Sequence, residues 1–78
     1  MTAVPVLPIP VKSTLLASVL YHAHQSILDL EFCDGSIYRY FAVPTTVLNQ
    51  LLAADSKGSF FNRHVRNCFQ HTCLKRSR

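Results

Sequence analysis

Apolar and polar residues alternate most cleanly over residues 26–32. There Leu28, Leu30 and Phe32 share one side, and Asp29 and Glu31 the other. That is the two-residue period of a half-buried strand. Residues 15–21 form an apolar run containing β-branched Val19 and read as an earlier strand, with His22-Ala-His-Gln25 as its turn. Residues 37–43, rich in Tyr, Phe and β-branched side chains, read as a third strand. Asp34-Gly35 marks the hairpin between the second and third. A two-residue turn on that pair would set Leu30 against Arg39, mixing core with charge. A three-residue loop, Cys33-Asp34-Gly35, uses Gly35 in the left-handed position of a bulge. It sets Leu30 against Tyr38, Leu28 against Tyr40 and Asp29 against Arg39, so one face is apolar and the other gains a charge pair. This second register is the expected one.

Pro44 ends the third strand and suits the first turn of a helix, where its missing N–H costs nothing. Val47, Leu48, Leu51 and Leu52 then recur at helical spacing, until Asp55-Ser-Lys-Gly58 interrupts them. Ser59 can cap a second helix starting at Phe60. Phe61, Val65, Cys68, Phe69 and Thr72 would form its inward stripe, with Arg63, Arg66 and Gln70 opposite, flanked by Asn62 and Asn67. The order is β-β-β-α-α. The expected fold is α+β, a three-stranded antiparallel meander followed by two helices packed on one face. The other face would carry Ile27, Asp29, Glu31, Ile37, Arg39 and Phe41. Residues 1–12, broken by Pro5, Pro8 and Pro10, read as an extended arm. Residues 13–72 read as the domain and residues 73–78 as a basic tail that frays from Lys75.

With 78 residues the chain holds one domain at most, and its core is thin. Hydrophobic residues make up 49% of it, which argues against disorder. No apolar run approaches the roughly 20 residues of a membrane span. The apolar start has no basic leader and is broken by prolines, so it does not read as a signal peptide, and a cytoplasmic protein is expected. Cys33, Cys68 and Cys73 then read as free thiols. The net charge is +4, and its distribution matters more than its size. After Asp55 there is no acidic residue, whereas Lys57, Arg63, Arg66, Lys75, Arg76 and Arg78 all follow it. Such asymmetry points to an anionic partner, most often nucleic acid.

The motifs of the chain resemble those of the KTSC domain, a short module named for its place at the C-terminus of some lysyl-tRNA synthetases. The likeness rests on Tyr38-Arg-Tyr40, Val43-Pro44, Ala54-Asp-Ser-Lys-Gly58 and Phe61-Asn-Arg-His-Val-Arg66, with Ser18-Val-Leu-Tyr21 upstream. Leu20 stands where the family commonly has Gly. The resemblance runs from about Leu15 to Phe69. It implies a module of unknown function, with RNA binding suggested by the synthetase context, and brings no catalytic residues.

The candidate chemistry is therefore that of binding. Lys57, Arg63, Arg66, Gln70, Lys75, Arg76 and Arg78 would contact phosphates or bases of RNA or another polyanion. Tyr38 and Tyr40 either stack bases or, as the expected register suggests, point at the helices as core residues. Phe41, on the opposite face, is a stacking or dimer-contact candidate. Residues 56–59 with Lys57 offer a weak anion site at a helix start. His64, Cys68 and His71 recur along one helix face, but the spacing fits known zinc sites poorly. His22 and His24 lack an identifiable partner. No paired-carboxylate cleft or nucleophile–base spacing stands out, so neither enzymatic activity nor a cofactor or metal is expected. The alternative reading is a protein-interaction module that docks its partly apolar sheet face, Ile27, Ile37 and Phe41, on another protein or on its own copy.

Overall fold

The computed structural model describes residues 8–77. Its elements are β1 (Ile9–Pro10), β2 (Leu16–His22), β3 (Ile27–Phe32), β4 (Ile37–Tyr40), α1 (Thr45–Ala53), α2 (Lys57–His64) and β5 (His71–Lys75). The strands form one antiparallel sheet in the order β1-β2-β3-β4-β5. The fold is α+β with two helices, but the sheet has five strands where three were expected. The two additional strands lie at its edges; β1 is built from the expected arm, and β5 from the expected end of the second helix and the start of the tail.

The central hairpin has the expected register, with Leu28 opposite Tyr40, Asp29 opposite Arg39 and Leu30 opposite Tyr38. Gly35 has φ +90, which an L side chain rarely adopts. The Phe32 N–H donates to the Ser36 carbonyl at 2.8 Å, and the Gly35 N–H to the Phe32 carbonyl at 2.9 Å, so the loop spans Cys33, Asp34 and Gly35. The Asp34 carboxylate accepts from the Ser36 N–H at 2.9 Å, which ties the turn down.

β4 stops at Tyr40, three residues earlier than expected. Ala42 has φ 57, so the chain leaves the sheet there. Val43 turns into the core, and its N–H donates to the Ser26 carbonyl at 2.8 Å. The core sits between the helices and one sheet face. Leu16, Val19, Leu28, Leu30 and Tyr40 come from the strands, Leu51 from α1, and Phe61 from α2, with Val43 and Val65 beside them. Each fully buried Leu contributes about 2 kcal/mol of transfer free energy.

The second helix differs most from expectation. It starts at Lys57 instead of Phe60, because Ser56 is its cap and accepts from the Ser59 N–H at 3.3 Å. It ends at His64, where Val65 takes φ -120 and ψ -49. Gln70 and Thr72 therefore lie outside the helix, and Cys68 is exposed instead of inward-facing. The chain then turns back, and the Phe41 N–H donates to the Gln70 carbonyl at 2.9 Å. That bond starts β5, which pairs Tyr40 with His71, Tyr38 with Cys73 and Ile37 with Lys75. Cys73, Leu74 and Lys75 are thus edge-strand residues instead of tail, and Lys75, expected to fray, pairs with Ile37.

Candidate functional site

Phe61 seats α2 on the sheet. Its ring meets Phe32 edge-on at 5.2 Å and Tyr40 at 5.8 Å. Beside this contact, between the end of α2 and β4–β5, lies a cleft of about 510 Å³. Its floor includes Tyr38, Tyr40 and Phe61, and its polar wall consists of Asn62, Arg66, Asn67 and His71. Two local features aim the wall. The N–H groups of Val65 and Arg66 both donate to the Phe61 carbonyl, at 3.0 and 2.9 Å, so the helix closes in a π-turn that carries Arg66 and Asn67. The latch from Phe41 to Gln70 then places His71 against both tyrosines, 5.9 Å from Tyr38 and 5.2 Å from Tyr40 between ring centres.

Tyr40 is buried and Tyr38 half-buried, whereas Asn62, Arg66, Asn67 and His71 are exposed. Burial pushes the Tyr40 phenol up to about 12, the neighbouring Tyr38 adds to that, and Arg66 pulls it part of the way back. Tyr40 is therefore neutral at physiological pH, and the permanent charge of the cleft is the Arg66 guanidinium. Among the described residues the ion pairs are those of Asp29 with Arg39 and His22, so Arg66 has no carboxylate partner there.

The expected phosphate contacts are placed unevenly. Arg63 is exposed on the last turn of α2, Arg66 is in the cleft wall, and Lys75 and Arg76 lie at the far end of β5 and just beyond. Lys57 stands apart at the start of α2, where its ammonium donates to the Ala54 carbonyl at 3.0 Å. Gln70 is exposed in the loop and not on a helix face. Arg78 lies outside the described residues. Tyr38 and Tyr40 do face the helical side, yet they also border the cleft. Phe41 is 37% exposed at the end of β4, outside the core.

His71 was missed as a binding residue, and Asn62 and Asn67 were expected as amide contacts beside Arg63 and Arg66 on an outward helix face, not in a cleft with the tyrosines. Their convergence with Tyr38 and Tyr40 depends on where α2 ends, which periodicity misjudged.

The opposite sheet face carries a different cluster. Asp29, 6% exposed, accepts from Arg39 through both oxygens, at 2.8 and 3.0 Å, and bonds His22 at 2.9 Å. His22 is therefore partnered and lies in β2, contrary to its reading as a turn residue without a partner. Burial raises the Asp29 carboxyl, but the hydrogen bonds and charges of Arg39 and His22 outweigh it and hold the group below its usual value. Ser18 donates to Glu31 at 2.9 Å on the paired strand. These polar groups satisfy one another.

A family model described as the KTSC domain matches residues 12–69. The chain belongs to the KTSC domain family. An uncharacterized protein of Stutzerimonas stutzeri is 46% identical over 55 residues, 70% of this chain and 78% of that protein. A lysine–tRNA ligase of Nostoc is 37% identical over 63 residues, which is 81% of this chain but 11% of the ligase. The crystal structure of a KTSC domain protein from Yersinia pestis superposes with a TM-score of 0.86 at 26% identity, covering 90% of this chain and 99% of that one.

The residues that carry the KTSC resemblance divide into two physical groups. Tyr21 donates its hydroxyl to the Val43 carbonyl at 2.6 Å, Ser56 caps α2, and Gly58 lies so close to Leu15 that an added Cβ would stand 3.3 Å from it. These hold the fold. Tyr38, Tyr40, Phe61, Asn62 and Arg66 all line the one cleft.

Proposed function

We propose that this KTSC domain is a non-enzymatic RNA-binding module acting in the cytoplasm. The observation that carries the reading is the cleft, where an aromatic floor meets an exposed guanidinium free of carboxylates among the described residues. Arginine matches phosphate through two parallel hydrogen bonds, and aromatic rings stack on bases. Arg63, exposed on the last turn of α2, and Lys75 and Arg76, exposed at the end of β5 and just beyond, are further cations for phosphates. The ligases that share the domain are named for tRNA, which agrees with an RNA partner. Fluorescence anisotropy with labelled tRNA and a labelled single strand at low salt tests this. Arg63→Ala with Arg66→Ala should weaken both by about tenfold or more, since each charged contact contributes about 1 kcal/mol. Unchanged affinity rejects the surface.

A second reading rests on the outer sheet face, where Leu20, Ile37 and Leu74 border a shallow groove away from the helices. It makes the domain a protein-interaction or dimerisation module. A concentration-dependent dimer in nucleic-acid-free protein, lost on Leu74→Asp, is the result that favours it.

A further inference from the structure

We propose that the cleft takes one unstacked nucleotide of a single-stranded RNA, its base against the Tyr38–His71 wall and its phosphate on Arg66. This rests on the RNA-binding reading and adds the class of RNA and the mode of contact. Three features of the cleft point the same way. Its volume, about 510 Å³, is that of a small-ligand site and not of a groove that tracks a duplex. Its wall offers one guanidinium, enough for one phosphate, next to the primary amides of Asn62 and Asn67, which both donate and accept. The planar donor–acceptor edge of a nucleobase matches such amides.

The third feature is the aromatic pair. Half-buried Tyr38 and exposed His71 lie 5.9 Å apart at 55° and border the cleft over the buried ring of Tyr40. A base still paired in a duplex has its faces covered by its neighbours and cannot reach such a wall. Sequence-tolerant stacking on aromatic rings is the common mode for single strands, loops and bulges. An acidic peptide would find a single cation and an apolar floor, a poor match for repeated carboxylates. The cations outside the cleft, Arg63, Lys75 and Arg76, would follow the backbone on either side without reading it.

The test uses the full chain and four probes: a labelled single-stranded octaribonucleotide, the same sequence as a duplex, inorganic polyphosphate and adenosine monophosphate. Tyr38→Leu keeps apolar volume under the helices while removing the stacking ring, and His71→Ala removes an exposed ring whose protein contacts are with Tyr38 and Tyr40. Far-ultraviolet circular dichroism confirms that each variant is folded. Each should weaken single-strand binding by about fivefold to a hundredfold and leave polyphosphate binding unchanged. The duplex should bind the wild type at least tenfold more weakly than the single strand. Equal losses for polyphosphate and RNA, or a duplex bound as tightly as the single strand, overturn the proposal. So does adenosine monophosphate binding more tightly than the octamer, which would make a free nucleotide the ligand. If Tyr38→Leu and His71→Ala change nothing while Arg63→Ala with Arg66→Ala weakens every polyanion, the cleft assignment falls and RNA binding stands. If the wild type binds none of the probes, both fall.

Discussion

Replacing Arg63 and Arg66 together by alanine should flatten the salt dependence of RNA binding as well as weaken it. Arg63, Arg66, Lys75 and Arg76 are exposed, and among the described residues none of them is in an ion pair. Each phosphate neutralised on a single strand contributes about −0.7 to the slope of log K against log salt, so four contacts give about −2.8. Between about 50 and about 200 mM salt, wild-type binding should fall about fifty-fold, whereas the double variant, at a slope of about −1.4, should lose about sevenfold. The assay is anisotropy of a labelled single-stranded octaribonucleotide at several salt concentrations, with Lys57→Ala as a control. Lys57 sits at the opposite end of α2 with its ammonium on the Ala54 carbonyl, so its loss should leave the slope alone. An Arg63→Ala, Arg66→Ala protein with the wild-type slope would refute the assignment of these two cations to phosphates.

Asp29→Asn should cost about 1–2 kcal/mol in urea denaturation at neutral pH, the lower part of the range for a charged hydrogen bond because Arg39 remains a third exposed. The Asp29 carboxyl is depressed in the folded state, so its contribution is present above the unfolded value of 3.8 and is lost as pH falls through the lower folded value. The gap between wild type and variant should therefore close in acid. Tyr40, raised to about 12, gives the opposite sign: its stability contribution is intact below the ordinary tyrosine value of 10.0 and disappears as pH rises from there towards 12. An ultraviolet titration should show a late tyrosine component, still protonated at about pH 11, that Tyr40→Phe removes. Gly35→Ala should lower stability by about 1 kcal/mol in thermal or urea melts, because the left-handed conformation strains an L side chain although space is free around it.

The central hairpin was legible because side-chain chemistry and turn chemistry agreed there. Leu28 and Leu30 alternate with Asp29, and only a three-residue loop brings Asp29 to Arg39 while keeping the tyrosines on the apolar side. The end of α2 was not legible. Phe61, Val65, Cys68 and Phe69 have helical spacing, but the turn at Val65 breaks it, and Cys68 faces out. β5 left little trace in the pattern, since all five of its residues are exposed and its order comes from backbone pairing with β4. β1 is two residues long and includes Pro10, which a sheet tolerates only at an edge. The cleft was hidden for the same reasons. Tyr38 and Tyr40 were singled out, and so was Arg66, but on separate surfaces. Only the early end of α2 and the return of the chain along β4 bring them together with Asn62, Asn67 and His71.

A nitrogen–proton correlation spectrum recorded during titration with a single-stranded octaribonucleotide tests the cleft most directly. The largest shifts should fall on the backbone amides of Asn62, Arg66, Asn67 and His71 and on the side-chain amides of the two asparagines, with Ser18, Asp29 and Glu31 on the outer face unmoved. Shifts gathered on that outer face, with the cleft silent at saturating RNA, would contradict it.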